Sequence, residues 1–428
     1  MLVFKFGGAS VKDANGIINL GKVVGLYADA QLLIVVSAMG KTTNALEKLT
    51  KAYVNQADDL QDIYEEIKQY HYHIISELFE PNHPVFDEVA NTFVEIDWML
   101  EDEPHDDYDF IYDQIVSVGE LVSTRIINAY LNKINLKSQW LDVRGYIHTN
   151  NSYREGVVQW DKTRASISRD LPALLAKNIV VTQGFLGGTS ENFTTTLGRE
   201  GSDYTASIFA SCLNAESVTT WKDVPGVLNA DPKFFNDTVK FDELSYTEAI
   251  EMTYYGATVI HPKTIKPLQN TKIPLLVKPF NDAGATGTVI KEDGKNHFEK
   301  PVIIIKQNQV LLSLSAKDYS FISEDHLSDI FRLFAQSHVK INMMQTSALS
   351  FTVCFDHDEE RFKQLLQNLS TGFRAKYNNG LTLITTRHYT PASLKELTAG
   401  RTVLLEQVSR NTAQMVAAPP KPSPEGRA

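Results

Sequence analysis

Cysteine is scarce in this sequence, which contains only Cys212 and Cys354 among its 428 residues. Two cysteines inside apolar, periodic stretches exclude a disulfide framework and a zinc site built on cysteines. Such scarcity is typical of a reducing cytosol, so we expect a cytoplasmic location. The amino terminus also lacks the basic region and cleavage site of a signal peptide, and no apolar run is long enough to span a membrane.

Positive charge is in deficit, because 41 lysines and arginines face 52 aspartates and glutamates, for a formal net charge of −11. This balance argues against nucleic acid or an anionic membrane as the main partner. An anionic ligand would need a local cluster of basic side chains or backbone N–H groups. The hydrophobic fraction of 43% is ordinary for a globular enzyme, and 428 residues suffice for a large core. A chain of this length predicts roughly two or three domains.

Strand and helix patterns alternate in the first part of the chain. Helical patterns lie between the predicted strands, which indicates a mostly parallel sheet covered by helices on both faces. Residues 41–131 contain no convincing strand and predict a helical insertion. The predicted strands are Leu2–Phe6, Leu32–Ser37, Ser138–Asp142, Ile179–Gln183 and Ser217–Trp221.

The pattern changes after residues 291–300, KEDGKNHFEK, a polar stretch typical of a linker. Strands and helices then follow in the order βαββαβ, which is a ferredoxin-like arrangement. The sequence therefore predicts a first domain at residues 1–293 and a ferredoxin-like domain at residues 301–393. An extra helix and strand segment packed on that domain is expected at residues 394–417, and a disordered, proline-rich tail at residues 418–428.

The first segment with a chemical signal is LVFKFGGASVKD, which predicts a strand, a glycine loop and the start of a helix. Lys5 lies inside the strand, where a parallel strand is normally apolar. One interpretation is an edge strand with Lys5 facing water. The other is a phosphate site formed by Lys5, the loop of Gly7 and Gly8, and the helix start.

The second such segment, residues 180–210, contains five glycines between a β-rich run and a helix. Ser202 can cap that helix, and exposed N–H groups of the loop and helix start can form a concave anion site. Arg199 adds a forked donor suited to a carboxylate or a phosphate. Asp203 could hold Mg²⁺ or fix the lysines around a phosphate. For this segment alone, a surface loop followed by a capped helix is the alternative.

Separated motifs of this chain resemble those of aspartate kinases in the amino-acid kinase family, and they follow the family's order over nearly all residues before Lys291. The motifs are KFGGAS, VVSAMGKTTNAL, VSVGELVST, TQGFLG, LGREGSDYTA, WKDVPGVLNADP and ELSYTEAIEMTYYGATVIHPKT. The resemblance implies the amino-acid-kinase fold, a mostly parallel sheet sandwiched by helices. The C-terminal βαββαβ pattern looks like an ACT domain, the amino-acid-sensing module often attached to this enzyme.

The resemblance implies transfer of the ATP γ-phosphoryl group, with Mg²⁺, to the side-chain carboxylate of L-aspartate. The product, 4-phospho-L-aspartate, is the entry point to lysine, threonine and methionine biosynthesis. Because the substrate carboxylate is itself the attacking group, the enzyme has to position reactants and neutralise charge rather than supply a nucleophile.

The resemblance also implies which residues form the site, with Lys5 and Asp203 as the catalytic pair and Asp203 as the candidate metal ligand. Glu120 would pair with the substrate ammonium and Arg199 with a carboxylate. The implied ATP-binding residues are Lys5, Gly7, Gly8, Ser37, Trp221, Lys222, Asp223, Lys233 and Thr258. The implied aspartate-binding residues are Thr43, Glu120, Phe185, Arg199 and Ser202. An exposed helix glutamate remains the alternative for Glu120, and a core tryptophan for Trp221.

Several positions depart from the family's pattern. Ala9 replaces a threonine, and Leu228 and Lys233 stand where many relatives carry tyrosine and arginine. Thr258 stands where the family often has a nucleotide-site lysine, a charge that Lys222 or Lys263 could supply. These departures leave open an altered nucleotide preference or a ligand-sensing homologue with weakened catalysis. A kinase acting on glutamate or acetylglutamate is the other alternative.

The ACT-like segment KINMMQTSALS implies an effector site at Asn342, Thr346 and Ser347. In lysine-sensitive relatives the matching segment carries an aspartate and a glutamate that hold the effector ammonium. Asn342 and Ala348 stand in those places here, so we expect poor lysine binding. ACT domains usually pair between subunits, and a lone ferredoxin-like sheet exposes edges that favour covering. We therefore expect a homodimer or a higher homo-oligomer.

Overall fold

A computed structural model describes residues 1–257, 260–295 and 298–419, and the chain divides into two units. The first contains Met1–Val227, Lys240–Ile250 and Val259–Asn296. The second contains Leu228–Val239, Glu251–Thr258 and His297–Ala428. The second unit thus takes two short segments from before residue 293, which a linear pattern of strands and helices does not reveal. The domain boundaries and the disordered tail stay predictions, since residues 420–428 lie outside the described residues.

An eight-stranded sheet in the order β3-β4-β2-β1-β7-β9-β10-β8 forms the centre of the first unit. Neighbouring strands are parallel except for the antiparallel pair β9 and β10, and β5 and β6 form a separate hairpin. All five predicted strands are confirmed to within one residue at each end. The strands are β1 (Leu2–Phe6), β2 (Leu32–Val36), β3 (Ser138–Leu141), β4 (Ile179–Gln183), β5 (Leu186–Gly188), β6 (Thr194–Thr196), β7 (Ser217–Lys222), β8 (Glu243–Ser245), β9 (Leu275–Pro279) and β10 (Thr288–Lys291).

Helices occupy several of the connections between these strands, and five of them in succession confirm the predicted helical insertion. None of the helices in residues 1–257, 260–295 and 298–419 combines the length and hydrophobicity that a transmembrane span requires. The helices up to residue 271 are α1 (Ala14–Gly25), α2 (Thr42–Val54), α3 (Leu60–Leu78), α4 (Val85–Glu101), α5 (Tyr108–Val116), α6 (Val118–Lys133), α7 (Trp160–Leu175), α8 (Gly201–Leu213), α9 (Tyr246–Tyr254) and α10 (Pro262–Thr271).

Strand β1 lies in the interior of the parallel sheet. Lys5 pairs with Val35 of β2 on one side and with Thr220 of β7 on the other. Its neighbours Phe4 and Phe6 belong to the main hydrophobic core, and β2 is buried along its whole length. The interpretation of β1 as an edge strand with Lys5 facing water is therefore wrong. A lysine is retained inside a buried strand, where an unpaired charge would be costly.

A six-stranded antiparallel sheet in the order β12-β13-β11-β14-β16-β15 forms the second unit. The order of its first four strands, with two intervening helices, confirms the ferredoxin-like βαββαβ arrangement. Core side chains of β11 and β13 pack with Ile330 and Phe334 of α11 and Leu365 of α12. The elements are β11 (Val302–Ala316), α11 (Glu324–Gln336), β12 (Ile341–Thr346), β13 (Phe351–Asp356), α12 (Glu359–Leu369), β14 (Phe373–Arg387), α13 (Pro391–Thr398), β15 (Val403–Val408) and β16 (Thr412–Ala417).

Strands β11 and β14 are each 15 residues long and run through the whole sheet. Their register shifts between Lys306 and Leu311, where a β-bulge bends the pair. Before the shift β11 pairs with the second half of β14, which in turn pairs with β16. Residues 394–417, expected as an extra segment, thus contain two strands that continue the same sheet.

Candidate active site

The residues that the sequence predicts to bind ligand gather at the carboxyl ends of four adjacent parallel strands. Lys5 lies in β1, Ser37 follows β2, Phe185 follows β4, and Lys222 ends β7. Because parallel strands point the same way, their carboxyl ends meet at one edge of the sheet, where α/β proteins bind ligands. The Ser37 N–H donates to the Phe6 carbonyl at 3.1 Å, and the Ser37 carbonyl accepts from Ser123 Oγ at 2.8 Å.

The loop of Gly7 and Gly8 leaves no room for larger side chains. A Cβ at Gly8 would lie 2.5 Å from the carbonyl oxygen of Ala38, well inside contact distance. The Gly40 N–H donates to the Gly8 carbonyl at 3.0 Å and joins this loop to the loop after β2. A Cβ at Gly7 would lie 3.5 Å from Lys5 Nζ, so the lysine ammonium reaches the glycine loop. The predicted strand, glycine loop and lysine are therefore brought together.

Asp203 holds two lysines in place. Its Oδ1 lies 3.0 Å from Lys5 Nζ and its Oδ2 lies 3.4 Å from Lys222 Nζ, and the Asp203 side chain is only 3% exposed. Burial opposes ionisation of Asp203, but the charges of Lys5 and Lys222 outweigh it and hold the pKa of this carboxyl below its usual range. Asp203 therefore fixes the two lysines, which is one of the two roles that the sequence left open.

The start of α8 differs from the sequence prediction. The helix begins at Gly201, and Glu200 precedes it with φ +55° and without a side-chain capping bond. Ser202 therefore lies inside the first turn, and the prediction that it caps the helix is wrong. Its hydroxyl donates to Glu120 Oε1 at 2.8 Å instead. The first N–H groups of the helix keep no capping side chain, which suits an anion site.

Glu120 is buried, with 3% exposure, so the interpretation as an exposed helix glutamate is wrong. Burial raises the pKa of Glu120 to about 8, against the opposing effects of the Ser202 hydroxyl, the charge of Lys5 and the nearby N–H groups of Ala38 and Gly184. Its Oε2 is buried without a well-formed hydrogen bond. Buried polar atoms are rarely left unpaired, and one that is unpaired requires an explanation. A positively charged group of a ligand would supply the partner that Oε2 lacks.

The other three candidates for the aspartate site, Phe185, Thr43 and Arg199, differ in position and burial. Phe185 has φ +50°, and its carbonyl accepts from the Leu197 N–H at 2.8 Å. A Cβ at Gly201 would lie 3.0 Å from the Phe185 Cα, so this residue lies against the start of α8. Thr43 is half-buried in the first turn of α2. Arg199 is exposed and forms no ion pair with any residue in the described part of the chain.

Three of the four other predicted nucleotide residues lie in the described part of the chain. Trp221 is fully buried and stacks on Phe6 in the core, so a nucleotide contact by its side chain stays a prediction. Asp223 is exposed after β7. Lys233 is exposed in the second unit, where its N–H donates to Asp231 Oδ1 at 2.9 Å. Thr258 lies outside the described residues.

Lys263, one of the two candidates to replace the missing lysine, supplies a positive charge near Gly198, in the loop before α8. Its Nζ lies 3.5 Å from the Leu197 carbonyl and 3.6 Å from the position of a Cβ at Gly198. The other candidate, Lys222, is held by Asp203 as described. Both ammonium groups thus lie beside the loops that carry the site.

Two acidic residues at or near the site escaped the sequence analysis. The Asp113 carboxylate is fully buried and accepts from the N–H groups of Arg154 and Thr196, each at 2.8 Å. It thereby ties α5 to β6 and to the loop after residue 149, and burial raises its pKa to about 6. The available signal in the sequence was an acidic residue in α5 flanked by the buried residues Tyr112 and Ile115. The second residue, Glu200, lies beside Asp203.

The sequence model of the amino acid kinase family matches residues 1–279. This chain belongs to the amino acid kinase family. It is 30% identical over 392 residues to lysine-sensitive aspartokinase 3 of Escherichia coli, with 90% of this chain and 86% of that protein covered. It is also 30% identical over 385 residues to chloroplastic aspartokinase 1 of Arabidopsis thaliana, with 85% of this chain and 65% of that longer protein covered.

Solved aspartokinase structures share the fold of this amino acid kinase. E. coli aspartokinase III in complex with aspartate and ADP matches with a TM-score of 0.84 at 26% identity, over 97% of this chain and 96% of that one. The same E. coli enzyme in complex with lysine and aspartate matches with a TM-score of 0.81 at 27% identity, over 97% and 95%. These matches confirm the predicted fold class, an amino-acid-kinase fold followed by a ferredoxin-like, ACT-type domain.

Proposed function

We propose that this chain is an aspartate kinase, which transfers the γ-phosphoryl group of ATP to the side-chain carboxylate of L-aspartate and forms 4-phospho-L-aspartate. One observation carries the substrate assignment. The buried Glu120 carboxyl, with one oxygen bound by Ser202 and the other without a well-formed hydrogen bond, lies at the same sheet edge as the Lys5–Asp203–Lys222 cluster. The relatives named above are aspartokinases, and one of their structures contains aspartate and ADP.

At the phosphate end of the site, positive groups converge on one place. Lys5 approaches the loop of Gly7 and Gly8, and Lys222 joins it through their shared partner Asp203. Both ammonium groups stabilise the negative charge of the transferring phosphoryl group, as phosphoryl-transfer enzymes require. The N–H groups at the start of α8 contribute further donors. No covalent nucleophile is needed, because the substrate carboxylate attacks the γ-phosphorus in line.

At the amino-acid end of the site, Glu120 receives the substrate ammonium on Oε2, the oxygen without a well-formed hydrogen bond, and Ser202 keeps the carboxylate oriented. Arg199 is exposed and without an ion pair in the described residues, so its guanidinium is available for the α-carboxylate. When the α-ammonium and the α-carboxylate of aspartate are both bound in this way, its side-chain carboxylate is the group directed at the phosphate. Thr43 and Phe185 complete the proposed aspartate site.

Mg²⁺ fits the carboxyl groups of this site. No group of three or more His, Cys, Asp or Glu side chains in the described residues could hold a metal unaided. Mg²⁺ in such enzymes is bound through one or two carboxylates together with substrate phosphates. Asp203 provides one such carboxylate, and its Oδ1 accepts no well-formed hydrogen bond. When bound, the ion neutralises charge on the phosphates, while Lys5 and Lys222 bind and orient them.

The decisive test supplies ATP, Mg²⁺ and L-aspartate to the full chain and traps the acyl phosphate with hydroxylamine as a coloured hydroxamate. Formation of ADP and hydroxamate in equal amounts supports the proposal. Parallel reactions with glutamate and acetylglutamate test the alternative acceptors. Product with either of them, but not with aspartate, would establish that alternative. Absence of product with all three would identify a ligand-sensing homologue with weakened catalysis.

The affinity for aspartate is expected to depend on pH through Glu120. Because the pKa of Glu120 is raised to about 8, the free enzyme carries this group protonated at pH 6 and must lose the proton to pair with an ammonium. The KM for aspartate should therefore fall about tenfold per pH unit as pH rises toward 8. Steady-state kinetics between pH 6 and 8.5 provide the measurement. A KM that stays constant, or that rises over this range, would contradict the assignment.

The effector segment supports a second proposal, that free lysine inhibits this enzyme poorly. Asn342 Oδ1 accepts from Lys306 Nζ at 2.9 Å, and Asn342 Nδ2 donates to Gln309 Oε1 at 2.8 Å. The amide is thus occupied by the chain's own side chains, while Thr346 and Ser347 are exposed. Lysine from solution would have to displace the Lys306 ammonium and would find no carboxylate at Asn342 or Ala348.

Activity measured against rising lysine, threonine and methionine tests this proposal. Each charge-assisted hydrogen bond contributes about 1.5–3 kcal/mol, so losing two carboxylates should weaken lysine binding by roughly two to four powers of ten. Micromolar lysine is expected to leave activity unchanged. The double variant Asn342→Asp with Ala348→Glu restores both charges and should increase lysine sensitivity. Strong inhibition of the unaltered chain by micromolar lysine would overturn the proposal.

Assembly and location complete the proposal. Met344 of the edge strand β12 is 50% exposed, which supports pairing of the second unit with another copy. Light scattering coupled to size exclusion measures the resulting homodimer or higher homo-oligomer. Both cysteines are free and buried, which supports a reducing cytoplasm as the location.

A further inference from the structure

Glu200 occupies an unusual position for an acidic side chain. It immediately precedes α8 with φ +55° and ψ +26°, in the left-handed region that glycine adopts without cost. Its carboxyl is partly buried and lies within hydrogen-bonding distance of the Asp203 carboxyl. The Glu200 carboxyl therefore lies next to the carboxyl that holds Lys5 and Lys222, at the phosphate end of the site.

Two carboxyl groups this close repel each other unless a proton or a cation lies between them. Lys5 and Lys222 supply positive charge here, at 3.0 Å and 3.4 Å from the Asp203 oxygens. A bound triphosphate competes for the same ammonium groups, since these lysines bind its oxygens in the proposed reaction. Glu200 and Asp203 then need another cation.

An independent observation indicates where that cation binds. The Asp203 side chain is only 3% exposed, yet its Oδ1 accepts no well-formed hydrogen bond. The approach of Lys5 Nζ satisfies the charge of this oxygen but not its hydrogen-bonding geometry. A buried carboxylate oxygen of this kind is suited to a metal ion, because metal coordination does not require a hydrogen atom at a particular angle.

We propose that Glu200 is a magnesium ligand and that Glu200 and Asp203 together form the protein's part of the metal site, with the phosphates of the nucleotide as the other ligands. One or two carboxylates combined with phosphate oxygens match the coordination that Mg²⁺ prefers. The proposal rests on the proposed nucleotide-dependent function and adds to it a residue that resemblance to the family did not indicate.

The test is titration of Mn²⁺, as a spectroscopic substitute for Mg²⁺, into the full chain with a non-hydrolysable ATP analogue and without aspartate. Electron paramagnetic resonance reports the free Mn²⁺. Glu200→Gln should weaken Mn²⁺ binding to the enzyme–nucleotide complex by about tenfold or more, as expected for the loss of one charged ligand. Glu191→Gln, at an exposed glutamate of the β5–β6 hairpin, should bind Mn²⁺ like the unaltered chain.

Glu200→Gly separates a metal ligand from a backbone role. Glycine suits the left-handed conformation better than glutamate does, so a purely structural role predicts unaltered Mn²⁺ binding in this variant. Metal ligation predicts the same loss as in Glu200→Gln. If both variants bind Mn²⁺ within twofold of the unaltered chain, the proposal is overturned. Because aspartate is absent from the titration, this outcome is independent of whether the hydroxamate assay identifies aspartate as the acceptor.

Discussion

Replacing Lys5 by alanine is expected to lower kcat by about a hundred- to a thousandfold, the usual effect of removing one group that stabilises transition-state charge. Lys5 Nζ reaches the glycine loop and pairs with Asp203 at 3.0 Å, so its loss removes the cation nearest the proposed phosphate position. Lys222 still neutralises Asp203, and the fold should therefore remain intact. Steady-state rates of ADP release and hydroxamate formation give the measurement.

Two further variants make this result interpretable. Lys12→Ala removes an exposed lysine from the same strand–loop–helix segment and should leave kcat unchanged. Lys5→Met keeps most of the buried side-chain volume but not the charge, and should lose activity like Lys5→Ala. Circular dichroism and urea unfolding check that each variant is folded. Near-native turnover of a folded Lys5→Ala enzyme would refute the assignment of Lys5.

Replacing Glu120 by glutamine is expected to raise the KM for aspartate about a hundredfold at pH 8 and to leave the KM for ATP nearly unchanged. The amide keeps the size of the side chain and can still accept from Ser202, so the substitution removes mainly the charge. Breaking one partner of a buried charge pair costs about 2–5 kcal/mol, which spans this effect. The two KM values are measured with the other substrate saturating.

The control for this variant is Glu101→Gln, at the exposed end of α4. It should change neither KM. A Glu120→Gln enzyme in which the KM for ATP rises and the KM for aspartate does not would place Glu120 on the nucleotide side, and the proposed recognition of the ammonium would fail. The pH dependence of the aspartate KM should also disappear in Glu120→Gln, because glutamine does not titrate.

The strands of the first unit that were predicted are those with a dense apolar signal. Strand β2, LLIVV, is buried at every position, and a run of that kind is hard to mistake. The hairpin of β5 and β6, LGG and TTT, has no such run, and β8 has only three residues. Their pairing depends on neighbours distant in the sequence, which local patterns do not contain.

The second unit shows the same limit in another form. Strand β11 continues through the polar residues Lys306–Gln309, which resemble a break in a strand pattern. The structure places a β-bulge there and buries Gln309 completely, with its amide bound to Asp356 and Asn342. Polar side chains that pair with one another inside a fold look like a loop in the sequence alone.

The site was predictable where a residue contradicted its local pattern. Lys5 stood out because a charge inside an apolar strand requires a reason, and the structure supplies one in Asp203. Glu200 carried no comparable signal, since a glutamate next to a helix start is ordinary in a sequence and its left-handed backbone appears only in the structure. The burial of Glu120 likewise depends on Ser202, far along the chain.

The two long strands of the second unit have a consequence for how that unit folds. Because β11 and β14 each run through the whole sheet, the two halves of the sheet share these two strands. The half that contains β12 and β13 has all its pairing partners once the first part of β14 has been made, whereas the other half needs β16, which ends at Ala417. During synthesis the second half is therefore expected to close last, onto strands that the first half already holds in place.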